Sequence, residues 1–293
     1  MEHAERTIEN DGWSNLGLYV LVAFTAVTVV GYATFGVNPS LLNRFPGAAE
    51  VYSQAFRLLA VTSIWLAWLV LAFALTRAAG ARWLPAFLVL YSISLGSELL
   101  GTITGLPFGN YRYSPLLAPM WLGHVPIVIP LSWFFMAVPS YALARSLFPS
   151  NTKRWTRVLI ASALLVSWDL SLDPAMSFAT QYWTWASSGA YYGMPWMNLL
   201  GWYVTGLALM TALSALDADR WIAALRLRWV WGFYLTNLAL PTAMNAAFGL
   251  WGAVISSIVA LALVWFVARY IAHNTRPAEI RQQATVPPLR VVR

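Results

Sequence analysis

The chain has 293 residues, of which 59% are hydrophobic and only 10% charged, and its formal net charge is +7. A soluble domain of this size carries about a quarter charged residues, so this chain cannot cover its surface with polar groups and needs lipid as part of its solvent. Cys is absent and His occurs three times, at His3, His124 and His273. That excludes disulfides, thiolate metal sites and Cys nucleophiles, and no histidine-clustered metal centre is expected.

In chain order, an acidic segment of residues 1–15 with the single basic residue Arg6 precedes the first apolar run. It makes a poor signal-peptide n-region, so the first helix is expected to be retained. Nearly uncharged runs of about 20 residues then recur, each long enough to cross a hydrocarbon core of roughly 30 Å. They cover Leu16–Gly36, Leu58–Thr76, Trp83–Leu106, Pro119–Ala144, Val158–Ala179, Pro195–Leu216, Trp229–Phe248 and Leu250–Ala268. The expected fold is an all-α, polytopic transmembrane helical bundle of about eight spans. Seven is the alternative, because only a tight turn around Pro241, Asn245 and Gly249 separates the last two. The membrane domain is expected over residues 16–271, followed by a basic, disordered tail at 272–293.

Eight spans place Arg6, Arg77, Arg82, Arg145, Lys153, Arg154, Arg157, Arg220, Arg226, Arg228, Arg269, Arg276, Arg281, Arg290 and Arg293 on one side. Arg44, Arg57 and Arg112 fall on the other. By the positive-inside rule the first side, with both termini, is cytoplasmic. The net charge then reports topology and gives no sign of nucleic-acid binding.

Three acids lie inside apolar spans: Glu98, Asp169 and Asp173. An unpaired charge there costs at least about 2.5–3.5 kcal/mol, so each needs a reason. Glu98 lies 15 residues after Trp83, and Asp169 and Asp173 lie 11 and 15 after Val158. At about 1.5 Å per residue all three reach a similar depth in the outer half of the bilayer. Asp169 and Asp173, four apart, share a helical face. Pro174 deprives the Leu170 carbonyl of its intrahelical partner. Carboxylates buried together favour one of them holding a proton, able to donate to a substrate. The competing reading is structural, with the acids bonding hydroxyl, amide and indole groups across helices.

The outer loops after these two helices are aromatic and similar in phrase: Phe108-Gly109-Asn110-Tyr111-Arg112-Tyr113-Ser114-Pro115, and Gly189-Ala190-Tyr191-Tyr192-Gly193-Met194-Pro195 after Tyr182-Trp183-Thr184-Trp185. They read either as a faint parallel repeat building a site at its interface or as interfacial aromatic belts. Arg112 suits a carboxylate or a lipid headgroup. His124 reads as a hydrogen-bonded structural residue, and Asn198, Asn237 and Asn245 suit carboxylate contacts or helix–helix glue. No Asp-rich diphosphate motif, Gly-rich dinucleotide fingerprint or metal-ligand set is present. Metal-free acid chemistry in an aromatic-lined cavity remains.

At these residues the chain resembles the CruF-type carotenoid hydratases, including the bisanhydrobacterioruberin hydratases. The stretches that carry the resemblance are Gly101-Thr102-x-Thr104-Gly105, Gly109-Asn110-Tyr111-Arg112-Tyr113, Val125-Pro126-x-x-Ile129-Pro130-Leu131-x-Trp133, Trp168-Asp169-Leu170-x-Leu172-Asp173-Pro174, Trp183-x-Trp185, Gly189-x-Tyr191-Tyr192-Gly193-x-Pro195-x-x-Asn198 and Gly201-Trp202. The resemblance implies addition of water across the terminal C1–C2 double bond of an acyclic carotenoid end group, with no cofactor and no metal. Its other expected partners are the lipid bilayer and other membrane enzymes of carotenoid synthesis, and its expected place is the cytoplasmic membrane.

On this reading Asp173, or Asp169 beside it, donates the proton and Glu98 handles water. Tyr111, Arg112, Tyr113, Trp183, Trp185, Tyr191, Asn198 and Trp202 contact the substrate. A carotenoid end-group cyclase begins with the same protonation, and a proton-coupled transporter of an apolar solute also needs intramembrane acids; these are the rival readings.

Overall fold

The computed structural model describes residues 2–44, 46–149 and 153–275. The expected disordered tail, with Arg276, Arg281, Arg290 and Arg293, lies outside the described residues from 276 onward, as does Met1. Among the described residues eight long helices stand where eight spans are expected. They are α1 (Glu2–Gly31), α2 (Pro46–Ala79), α3 (Leu84–Thr104), α4 (Ile129–Leu147), α5 (Arg154–Asp173), α6 (Trp196–Ala215), then, after the short α7 (Asp219–Ile222), α8 (Leu227–Phe248) and α9 (Trp251–Asn274).

Five stretches are long and apolar enough to cross a membrane: Gly12–Gly36, Leu58–Thr104, Arg154–Ala179, Trp196–Ala215 and Trp251–Asn274. The second runs through the turn at Gly80 and so contains both α2 and α3. Helix α4 is absent from the five because Trp, Tyr, Ser and Pro dilute its apolar residues. It has no need of a lipid-facing composition, since every residue from Ile129 to Ala144 is buried among α2, α3, α5, α6 and α8. Large apolar side chains such as Val27, Leu69, Leu88, Ile103, Leu200 and Phe266 are instead exposed on the outer helices, as lipid contact requires. This chain is a membrane protein.

The helices alternate in direction. At one end Asp219 accepts ion pairs from Arg145 (3.2 Å) and Arg157 (2.9 Å), Phe148 packs on Ala268 and Ala272, and Trp229 Nε1 donates to the Ser14 carbonyl. The start of α5 therefore meets the ends of α4 and α9 at the arginine-rich end, and the start of α8 bonds to the middle of α1. Between α8 and α9 the tight turn is present: Gly249 adopts φ +82°, and its N–H and that of Leu250 close the last turn of α8, a conformation only glycine takes freely.

Two expected boundaries are corrected. The fourth span does not begin at Pro119. Residues Met120–Trp121 (β2 in chain order, after β1 at Tyr111–Tyr113) and Val125–Pro126 (β3) form a hairpin around Leu122 and Gly123 at positive φ, and α4 starts only at Ile129. Apolar composition alone could not separate that hairpin from the helix. The fifth span is α-helical only to Asp173 and continues as a π-helical turn, Pro174–Ala179. Pro174 has no N–H to give, and the Leu170 carbonyl accepts a hydrogen bond from the Tyr191 hydroxyl at 2.7 Å instead.

Arg157 is 1% exposed and also lies over the Tyr141 ring, so its charge depends on Asp219. Asp219→Asn should cost about 3 kcal/mol by leaving a buried cation uncompensated, whereas Arg145→Ala, at the wetter arm of the cluster, should cost under about 1 kcal/mol. Unfolding midpoints in detergent check both, and equal losses would contradict this account.

Candidate active site

Glu98 lies near the end of α3 with its carboxylate turned into the bundle, 4% exposed. Three donors converge on it. The Tyr111 hydroxyl donates to Oε2, Tyr113 donates to the same oxygen at 2.8 Å, and Trp133 Nε1 of α4 donates to Oε1 at 2.8 Å. Burial, and next the Glu98 charge, push both phenols well above the usual tyrosine range, so they keep their protons and remain donors.

Strand periodicity explains why two tyrosines reach one carboxylate. Tyr111 and Tyr113 are alternate residues of β1 and point to the same face. β1 pairs antiparallel with β4 (Trp183–Trp185), placing Tyr111 opposite Trp185 and Tyr113 opposite Trp183. All four rings face inward, while Arg112 and Thr184 between them are exposed on the outer face.

Trp185 carries the ribbon's contacts on to the second acid. Asp173, 2% exposed, accepts from Ser177 (2.7 Å) and Trp185 Nε1 (3.2 Å) at Oδ1 and from Asn198 Nδ2 (3.1 Å) at Oδ2. The same Asn198 amide donates to Asp169 Oδ2 at 3.2 Å. Asp169 is fully buried and its Oδ1 has no partner. Asn198, in the first turn of α6, thus ties together the two carboxylates that their spacing had placed on one face.

Glu98 and Asp173 line one small cavity, walled by Phe108, Tyr111, Tyr113, Trp133, Trp183, Trp185 and Trp202 among others. Trp133 and Trp202 stack with centroids 4.0 Å apart. Phe108 fits in the corner only because residue 201 is glycine: a Cβ there would lie 2.5 Å from the Phe108 ring and 2.7 Å from the Pro107 carbonyl oxygen. A second, larger cavity, mostly apolar, lies between α1, α2, α4, α5 and α8. The two share Ile129, Ser132, Leu172 and Trp183 as common wall. An acid chamber therefore adjoins a long apolar one.

Of the residues singled out in the sequence, Glu98, Asp173, Tyr111, Tyr113, Trp183, Trp185, Asn198 and Trp202 come together around this chamber. Three do not. Asp169 lines neither cavity and stands behind Asn198. Arg112 faces outward, because it is the middle residue of a three-residue strand. Tyr191 is drawn away to Leu170 and Ser256 of α9. His124 is exposed at the hairpin tip, and among the described residues no group of three or more His, Asp or Glu is placed to hold a metal. Trp133, Phe108, Ser132 and Leu172 were missed. Trp133 stood within a quoted stretch, but an aromatic in an apolar run gives no sign that its N–H meets a carboxylate.

The family described as carotenoid biosynthesis protein matches residues 58–264, over two thirds of the chain. Bisanhydrobacterioruberin hydratase of Haloarcula japonica is 35% identical over 144 residues, covering 49% of this chain and 47% of that relative, so the match spans about half the relative's length. No solved structure matches. The stretches from Leu95 to Gly206 that carried the resemblance all fall inside the family match, and the resemblance is borne out. This chain belongs to the carotenoid biosynthesis protein family.

Proposed function

We propose that the protein is a membrane carotenoid hydratase that adds water across the terminal C1–C2 double bond of an acyclic carotenoid. The observation that carries this reading is the convergence of Glu98 and Asp173 on one aromatic chamber that adjoins a larger apolar cavity. The polyene lies in the larger cavity and its end group enters the smaller. The Haloarcula relative, named as a hydratase, supports the same assignment.

Asp173 delivers a proton to C2. The π electron pair forms the new C2–H bond and leaves a tertiary cation at C1. The faces of Trp133, Trp202 and Trp183 stabilise that cation, more strongly because the chamber excludes bulk water. A water oxygen then bonds to C1, and Glu98, whose two oxygens already act as acceptors for three donors, is the carboxylate that takes the released proton. The product is a tertiary alcohol, and the reaction as written consumes only water. Asp169 acts on Asp173 through their shared Asn198, whose one amide nitrogen donates to both carboxylates and fixes their positions relative to each other.

In a pigment-producing host, Asp173→Asn and Glu98→Gln should each lower the hydroxylated carotenoid by about 100-fold or more. Asp169→Asn should lower it less, by about tenfold, as expected for a group without substrate contact. Chromatography and mass spectrometry of the pigments check this. Undiminished product from Asp173→Asn would overturn the mechanism, and a product of unchanged mass carrying a ring would replace hydration with cyclisation.

The same reading puts the arginine-rich end in the cytoplasm of the inner membrane and the β1–β4 ribbon on the outer side. The chain has no cysteine of its own, so single cysteines report position cleanly. With an impermeant maleimide on intact cells, Arg112→Cys should label and Arg220→Cys should label only after permeabilisation. The reverse pattern would invert the topology.

A further inference from the structure

A nucleophilic water must give its hydrogens to acceptors so that a lone pair is left to attack carbon. The polar groups of the acid chamber leave few ways to do this. Tyr111, Tyr113 and Trp133 donate to Glu98, and Trp185 and Asn198 donate to Asp173. Another donor there would hold water in the wrong sense.

Ser132 differs. Its hydroxyl proton is committed to the Ile129 carbonyl at 2.7 Å, the common back-bond of a helical serine. Its oxygen therefore faces any further partner as an acceptor. Its position is equally specific: Ser132 is the one hydroxyl side chain common to the walls of both cavities, among the described residues. It lies on the wall shared by the apolar chamber and the acid chamber, one residue before the Trp133 that holds Glu98.

We propose that Ser132 holds the attacking water where the two cavities meet, accepting one of its hydrogens while a carboxylate accepts the other. This rests on the hydratase reading and adds a residue to it. The balance is complete. Water's oxygen lone pair forms the C1–O bond, the hydrogen facing the carboxylate leaves as the proton, and the hydrogen facing Ser132 stays as the alcohol hydrogen. Ser132 itself is unchanged. Without Ser132 the end group is still protonated, but the cation reverts by losing a proton from C2.

That difference is measurable in heavy water. Membranes containing the full-length protein and an acyclic carotenoid are incubated in D2O buffer, and both the alcohol and the recovered unhydrated carotenoid are analysed by mass spectrometry. Wild type should give an alcohol with one carbon-bound deuterium. Ser132→Ala should make the alcohol about tenfold or more slowly, the loss expected for one hydrogen bond of about 1.4 kcal/mol, while the unhydrated carotenoid gains deuterium at C2. Ser132→Thr, which keeps the hydroxyl, should retain hydration. Wild-type hydration by Ser132→Ala overturns the proposal. So does loss of alcohol and label together in that variant, because Ser132 would then support protonation or folding. If wild type neither hydrates nor labels the carotenoid, the hydratase reading fails before any substitution is compared.

Discussion

A carboxylate that leaves water must find its hydrogen bonds in the protein, or the fold bears several kcal/mol of unrelieved desolvation. That requirement organises the outer half of this bundle. Glu98 draws donors from two other elements, β1 and α4, in addition to its own place on α3. Asp173 draws them from its own π-helical turn, from β4 and from α6. Because Tyr111 serves one acid and its cross-strand partner Trp185 serves the other, the two sets of bonds are one construction. Each acid takes part of its donor set from the paired ribbon, Tyr111 and Tyr113 for Glu98 and Trp185 for Asp173, and the ribbon is too short to be stable alone. The acids and their roof thus stabilise each other, as hydrogen-bonded networks in a low dielectric do.

Helix α4 contributes in a quieter way. Pro130 near the start of the helix has a ring already shaped for a first turn, and the residues before it are held from outside: Tyr91 donates to the Ile127 carbonyl and receives the Trp121 indole N–H. The first turn and a half then places Ile129 and Ser132 on the wall common to both cavities and Trp133 against Glu98. Burial up to Ala144 fixes the helix against its neighbours on every side, so the chemistry sits on one of the most constrained segments of the bundle.

Much of this was legible in the sequence. Apolar runs and the distribution of arginine located the helices, and the rarity of intramembrane charge pointed to Glu98, Asp169 and Asp173. The proline rule identified Leu170 as a carbonyl in need of a donor. What stayed hidden has a common cause: depth along a helix can be read from spacing, but rotation about its axis and pairing across some 70 residues cannot. Asp173 was thus only slightly favoured over Asp169, although one residue faces the chamber and the other lies behind Asn198. Tyr191 sat in a motif beside the site yet answers to Leu170. Nothing local in Tyr111–Tyr113 announces Trp183–Trp185 as its partner, and the apolar hairpin before α4 has the composition of the helix it precedes.

The alternation of β1 also limits how the outer loop can change. Two tyrosines reach Glu98 because Arg112 between them looks outward, and side-chain direction along a strand reverses with every residue. Adding or deleting one residue between Tyr111 and Tyr113 would present one phenol to the surface and break the pair of donors on Glu98. The strand therefore tolerates exchange of its outward residue but no change in its length, and any such change has to be taken up in the loops on either side.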